Sequence, residues 1–423
     1  MNFKLLRLVI LFEIFSIKLS AQNKKLISGS VTDYKTGQPI PFASISLKHQ
    51  LIGSNSNENG SFDFYFPQEV TNDSIIISCL GFKSKTYSIE TAVSPLDVKL
   101  EPGSVALSEV VIRALSPVDY IRSAMRKVKE NYPQKPFQSE AYYREKVLEN
   151  DSLIKQTEGI FQTYYPSYQD TIKNQHQLLL YKKADPRKIA FMHDKAEKKK
   201  EKKIRKAKRQ GKDTAEMENS DAVKIGFGGP EGILSMDFIK EKEPFLDTLQ
   251  FNKFNYSFAG SSSYQGKELM VIAFDARKTV DHLKAVGKIY LDLQSLAVTS
   301  IEYKADFEIP LLIRPVLFLY GVSIEDAVFE KKLQYHELNG TWYPKDFQWK
   351  GKGSITKKHW FSANEHADFN IEQLFFINKM QTENAAPIPG NKRFKADKKI
   401  EDQVNNDAGI TWNEINQVQT TGK

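Results

Sequence analysis

The chain of 423 residues contains one cysteine, Cys79, so no disulfide can form within it. Small secreted eukaryotic domains are usually stapled by such bridges; an exported chain without them fits a bacterial envelope. Histidine is scarce as well. None of His49, His176, His193, His282, His336, His359 and His366 begins an HxxE or an HExxH. A zinc carboxypeptidase needs closely spaced His and Glu ligands, a distant second His and a general-base Glu, so a carboxypeptidase is excluded. There is no GxSxG elbow, no P-loop and no CxxC pair, which removes the commonest signatures of acyl transfer, phosphate binding and dithiol redox work. Residues 226–230, reading GFGGP, lack the Lys-Ser/Thr and the helix that phosphate binding requires and read as a loop. Beyond the N-terminus no apolar run approaches the ~18 residues of a spanning helix. No transmembrane helix is expected in the mature chain, and no cofactor.

Positive charge is concentrated in one place. The net charge is +8, yet residues 182–212 hold 15 Lys or Arg against 4 Asp or Glu, and residues 1–21 carry a further surplus of 2. Everything else is mildly acidic, at −5. A nucleic-acid binder spreads basic residues over a docking face, so no nucleic-acid partner is expected. With 27 Phe and 18 Tyr against 22 Gly, composition leans towards β-sheet.

Residues 1–21 read as an export signal: Lys4 and Arg7, then an apolar stretch over 8–17 interrupted by Glu13, then Ser20-Ala21 before a cut ahead of Gln22. The expected location is the periplasm or the outer membrane's surroundings. Residues 22–103 then alternate short β-rich runs (27–31, 43–48, 61–66, 74–79, 83–89 and 96–100) with turn clusters such as Thr36-Gly37-Gln38-Pro39 and Asn57-Glu58-Asn59-Gly60. That rhythm predicts a β-sandwich. In residues 61–66 the aromatics Phe62, Phe64 and Phe66 fall on one face.

The succession ISGSVTDYKTGQPIPFASISL, SNSNENGSFDFYF, DSIIISCLGFKSKTYSI and LDVKLEP resembles the carboxypeptidase-like regulatory domain, a transthyretin-like sandwich common in envelope proteins of Bacteroidota. The resemblance implies an accessory module without catalytic residues. Residues 107–114, LSEVVIRA, resemble the segment that follows this module in TonB-dependent receptors, which would imply an outer-membrane protein partner; an edge strand leading onward is the plainer reading.

A linker strand and helix are expected over 104–136, with Ser116 as N-cap, Pro117 in the first turn and a stripe of Val118, Ile121, Met125 and Val128. Residues 137–380 read as long antiparallel strands. Asn339-Gly340 between β-rich arms is a strong hairpin signal, and further turns fall at 265–266 and 292–295. The fold class expected is therefore mainly β: a transthyretin-like sandwich, one linking helix, and a larger curved antiparallel sheet like a half-barrel. The order MVIAFDARK, GKIYLDLQSLAVTSIEYK, LNGTWYPKDF weakly resembles the curved sheets of periplasmic lipoprotein carriers, which implies a face for acyl chains. The basic insertion at 182–219 has no evident helical stripe and is expected as a mobile helix or loop. Residues 381–423 read as a polar tail.

Residues 309–322, IPLLIRPVLFLYGV, are the most apolar stretch of the mature chain. They are too short and too interrupted by Pro310, Arg314 and Pro315 to span a bilayer. Two readings stand: a buried plug of the sheet's concave face, or a lid or membrane-touching loop. On the lid reading Leu311, Leu312, Arg314, Val316, Leu317 and Phe318 are the candidate ligand-binding residues. His359, Glu365, His366 and Asp368 lie close in sequence, but no metal is expected there. Asp followed by Ser or Thr recurs at 73, 151, 170, 213 and 247, which either resembles an O-glycosylation acceptor or starts turns. Three function classes follow: a non-catalytic envelope protein binding a lipid, a glycan or a partner protein; an assembly accessory of an outer-membrane complex; or an unrecognised hydrolase. The first accounts best for a chain with scaffold patterns and no catalytic motif.

Overall fold

In the computed structural model, residues 24–103, 115–170, 172–219, 229–359, 363–407, 409–413 and 415–419 are described. The export signal and residues 107–114 lie outside them. Seven strands form the first domain: β1 (Lys24–Asp33), β2 (Ser44–Leu47), β3 (Gly53–Asn55), β4 (Ser61–Pro67), β5 (Ser74–Ser78), β6 (Lys85–Ser88) and β7 (Leu96–Leu100). They make two sheets, ordered β4-β1-β7 and β3-β2-β5-β6. Strict alternation decides the packing. Phe62, Phe64 and Phe66 are buried against Ile27, Val31, Ile45, Leu47, Ile75 and Ile77, while Ser61, Asp63 and Tyr65 stay half-exposed. The expected sandwich is present; the three-residue β3 is an addition too short to leave a pattern.

Helix α1 (Pro117–Arg126) begins where its cap predicts: the Ser116 Oγ accepts the Asp119 N–H at 3.2 Å. Ile121 is buried, Val118, Met125 and Val128 pack half-buried, and a second turn, α2 (Val128–Asn131), follows a break at Lys127. The chain then builds β8 (Phe137–Glu149), β9 (Ser152–Tyr165), β10 (Gln175–Ala184), β11 (Phe254–Tyr264), β12 (Lys267–Ala276), β13 (Leu283–Asp292), β14 (Val298–Phe307), β15 (Val322–Leu338), β16 (Thr341–Lys357) and β17 (Glu365–Gln381). All ten join one antiparallel sheet in the order β10-β9-β8-β17-β16-β15-β14-β13-β12-β11. Every neighbouring pair is a local hairpin or loop connection except β8–β17, where residues 138–149 meet residues 369–381. Asn339 and Gly340 adopt φ of 52° and 82°, the paired left-handed conformation of a type I′ hairpin turn.

One face of this sheet is filled, though by a different segment from the one expected. Helices α5 (Glu231–Leu234) and α6 (Phe238–Glu241) and the turn after them bring Ile233, Met236, Phe238, Ile239, Phe245 and Leu246 onto the sheet aromatics Tyr303, Phe274 and Tyr335. Phe245 stacks on Phe274 at 4.2 Å between ring centroids. The sandwich lies on the other face. Ile52 bridges to Lys379, the Met380 N–H reaches the Leu51 carbonyl at 2.9 Å, and buried Arg144 pairs with Glu58 at 2.6 Å.

The basic insertion takes the helical one of its two expected forms but starts later than residue 182, and the expectation of a trailing tail fails. Residues 182–184 belong to β10, and residues beyond them form a regular helix, α3 (His193–Arg209). Lys, Glu, Arg and Ala are good helix formers, and a narrow stripe of Ala196, Ile204 and Ala207 is half-covered; Lys200 and Lys208 tie to Glu218 in α4 (Ala215–Asn219). The polar tail does not trail away. Its Phe394 and Asn405 N–H groups bond the carbonyls of His176 and Leu178 on the otherwise open β10 edge. Further on, Ile415 and Val418 are buried against Tyr142, Leu179, Leu374 and Phe376, and the Asn416 amide bonds both the N–H and the C=O of Tyr65. Three buried apolar side chains, Ile388, Ile415 and Val418, help dock a segment whose average composition is polar.

Candidate functional site

The segment between β14 and β15 leaves the sheet at Phe307 and returns at Val322. Pro310 starts a turn whose carbonyl accepts the Ile313 N–H at 2.9 Å, and the Arg314 Nε closes it on the Ile309 carbonyl at 3.0 Å. A short helix, α7 (Arg314–Leu319), follows, with Pro315 in its first turn, where a missing N–H costs nothing. Gly321 ends it at φ +61°, the left-handed stop that glycine supplies without steric penalty. The Gly321 carbonyl then accepts the Lys358 N–H at 2.7 Å, and the Lys357 ammonium reaches the Tyr320 carbonyl. Thus α7 is pinned to the end of β16.

Behind α7 lies a cleft of about 1160 Å³ whose apolar wall includes Phe307, Ile309, Leu317, Val322 and Ile324. Arg314, Lys357, Lys358 and His359 stand at it. An apolar interior with a cationic rim can hold an acyl chain and its anionic head. Of the sequence-selected residues, Arg314, Leu317 and Phe318 line this cleft; Leu311, Leu312 and Val316 do not, and point to solvent instead. No residue of α7 is buried. The plug reading of 309–322 is therefore overturned, because the sheet face it would have filled is already occupied by α5 and α6.

One carboxylate ties this cleft to the basic helix. Glu365 Oε1 is 2.7 Å from His359 Nε2, and its Oε2 accepts the Met192 N–H at 2.8 Å at the start of α3. Beside it, buried Glu149 accepts the N–H groups of Ala190 and Phe191 and the Arg187 guanidinium. Burial pulls the Glu149 carboxyl upward, but these donors together hold it below the ordinary carboxylate value. His366 pairs separately with Asp368 at 3.3 Å. Among the described residues no group of His, Cys, Asp or Glu is placed to hold a metal.

Two further perturbed groups, Asp237 and Cys79, have structural employment. Asp237, 2% exposed, accepts the hydroxyls of Tyr168 at 2.5 Å and Tyr335 at 2.7 Å and caps α6; burial raises its pKa against those donors. Burial raises the Cys79 thiol too, as for a small packed side chain. Of the Asp-Ser/Thr positions, Asp73 is buried and bonded to His49, which fits a turn role there, whereas Asp151 and Ser152 are exposed. No helix among the described residues is long and apolar enough to cross a membrane.

A search of the curated proteins finds no match to this chain. Among solved structures, a putative outer membrane lipoprotein-sorting protein domain from Vibrio parahaemolyticus is similar at 8% identity and TM-score 0.27, over 64% of this chain and 95% of that one. A DUF1329 family protein from Desulfovibrio piger is similar at 10% identity and TM-score 0.26, over 64% and 96%. A LolA superfamily protein from Nitrosomonas europaea is similar at 8% identity and TM-score 0.21, over 67% and 99%. Likeness at this level carries no argument about the site. The sandwich is more specific: residues 27–112 match the CarboxypepD_reg-like domain family.

Proposed function

We propose that this chain is an exported, non-catalytic protein of the bacterial cell envelope that binds an apolar, acyl-bearing ligand in the cleft behind α7. The observation that carries the reading is the cleft itself, about 1160 Å³ with an apolar wall and Arg314, Lys357 and Lys358 at its rim. An acyl chain would lie along Leu317, Val322 and Ile324, with its anionic head near the three cations. Export rests on the leader pattern of residues 1–21 and the single cysteine. A binding role is preferred to a catalytic one because the sequence holds no catalytic motif and buried Asp237 is engaged in capping and hydrogen bonding.

The test is titration with a fluorescent fatty acid below its micellar concentration. The parent protein should bind saturably, and Leu317→Ser with Phe318→Ser should weaken binding by about tenfold or more, since a tenfold change needs only ~1.4 kcal/mol of lost contact. Because neither residue is buried, the melting curve should barely move. A parent protein that binds no such probe would end this reading.

A further inference from the structure

We propose that the outward side of the α7 segment, together with α3, docks the protein on an anionic lipid bilayer. Among the described residues sixteen large apolar side chains are exposed, and seven of them fall within residues 311–320. Leu311 is 75% exposed, Leu312 90%, Phe318 83% and Leu319 82%. Side chains this open stand clear of the surface. A folded protein rarely leaves so much apolar area together unless something covers it.

The charge around this prominence identifies the occupant. Arg314, Lys357 and Lys358 stand at its base. Helix α3 carries 10 basic against 3 acidic side chains in 17 residues, and its exposed face is almost wholly cationic. Both elements sit at one end of the ten-stranded sheet: β10 ends there and leads to α3, β14 ends there and leads to α7, and β17 begins there. Glu365 joins them, one oxygen on His359 at the cleft and the other on the Met192 N–H at the root of α3. Pro310 and Pro315 stiffen the apolar segment, which is too short to cross a bilayer.

Apolar side chains that reach the headgroup–acyl boundary, flanked by Lys and Arg that meet anionic headgroups, are the two components of interfacial attachment. Phe318 and Tyr320 add aromatic rings suited to that depth. A protein partner would need a groove to receive the prominence and acidic charge to match α3; a bilayer containing anionic lipid supplies both at once. The docking surface shares Phe318, Leu319, Tyr320 and the three cations with the rim of the cleft, but Leu311 and Leu312 are not part of the cleft wall, so substitutions there test the docking apart from the cleft reading.

Flotation of the full chain with vesicles tests it, using phosphatidylcholine alone and phosphatidylcholine mixed with phosphatidylglycerol. Binding to the anionic vesicles should be stronger by about tenfold or more and should weaken as added salt shortens the screening length. Leu311→Ser with Leu312→Ser should abolish binding to either vesicle, and Lys199→Glu with Lys203→Glu should remove the anionic preference. All four side chains are exposed, so thermal melts should confirm an intact fold. Equal binding to both compositions, or binding indifferent to the leucine pair, overturns the proposal. A dimer in vesicle-free solution that the leucine pair dissociates also overturns it, since a second copy would then be the cover. The cleft is read independently: a parent that floats but binds no soluble fatty acid removes the cleft reading and leaves this one standing.

Discussion

His336 lies in β15 with 4% of its surface exposed, its Nδ1 against the Gln265 side chain. Burial, aided by Lys345, pushes its pKa down to about 3. The ring is therefore neutral in the fold, whereas the unfolded chain protonates it near the ordinary value of ~6.5. Between those values the unfolded state binds the extra proton, so stability falls as the pH falls through that window. We expect the parent protein to lose about 2 kcal/mol more than His336→Gln between roughly pH 7 and pH 5, measured by urea unfolding. Parallel acid limbs for the two proteins would show that the ring takes its proton in place. Glu58 has the opposite sense: burial raises its carboxyl, but Arg144 and Lys146 hold it below the ordinary value. Its share of stability is present above the ordinary carboxylate range and is lost only as the pH falls through the lowered value. Neither group was legible in the sequence. Alternation places Leu333 and Tyr335 on one face of β15 and Gln334 and His336 on the other, but it does not say that the sandwich covers the second face as well.

At the scale of elements, α7 depends on one glycine. At φ +61° a β-branched residue is strained by about 1–2 kcal/mol. Gly321→Val should therefore loosen the end of α7 and its bond to Lys358. Because α7 buries no residue, the expected result is faster amide exchange over 316–321 and weaker fatty-acid binding with an unchanged melting temperature. A large fall in melting temperature would show that α7 supports the sheet after all. Elements with a clear period were readable in advance: the aromatic alternation of β4, the capped α1, the Asn339-Gly340 hairpin. The filling of the sheet was not. Residues 231–251 reach the core in three short pieces joined by turns, so their apolar residues follow neither a helical nor a strand period. Residues 309–322 are more apolar and lie outside. Hydrophobicity ranked the two stretches in the wrong order because it carries no information on which surface is already taken.

The whole molecule is held by contacts that join its extremes. The sandwich meets the sheet through Glu58 and Arg144, the segment after Gln381 runs along the β10 edge, and Asn416 then hydrogen-bonds Tyr65 like an added strand residue. The two regular domains could be read from turn spacing and strand length. This strapping could not, because it depends on a few side chains in a stretch of ordinary polar composition.

The β8–β17 pairing sets the order of events when the chain folds. Hairpins β8-β9-β10 and the run β11 to β17 each zip between neighbours, but Tyr142 must find Phe376 across a loop of more than two hundred residues. Closing such a loop costs about 5 kcal/mol of chain entropy, growing only as the logarithm of its length. The search for that partner should therefore be the slow step, and the excursions that carry α3 and α7 lengthen it at almost no kinetic penalty. Pulse-labelled hydrogen exchange during refolding should show the β15–β16 amides protected first and the amides shared by β8 and β17 last. Simultaneous protection of both would mean that the two meanders do not form independently, and that the chain must commit to its full topology before either half is stable.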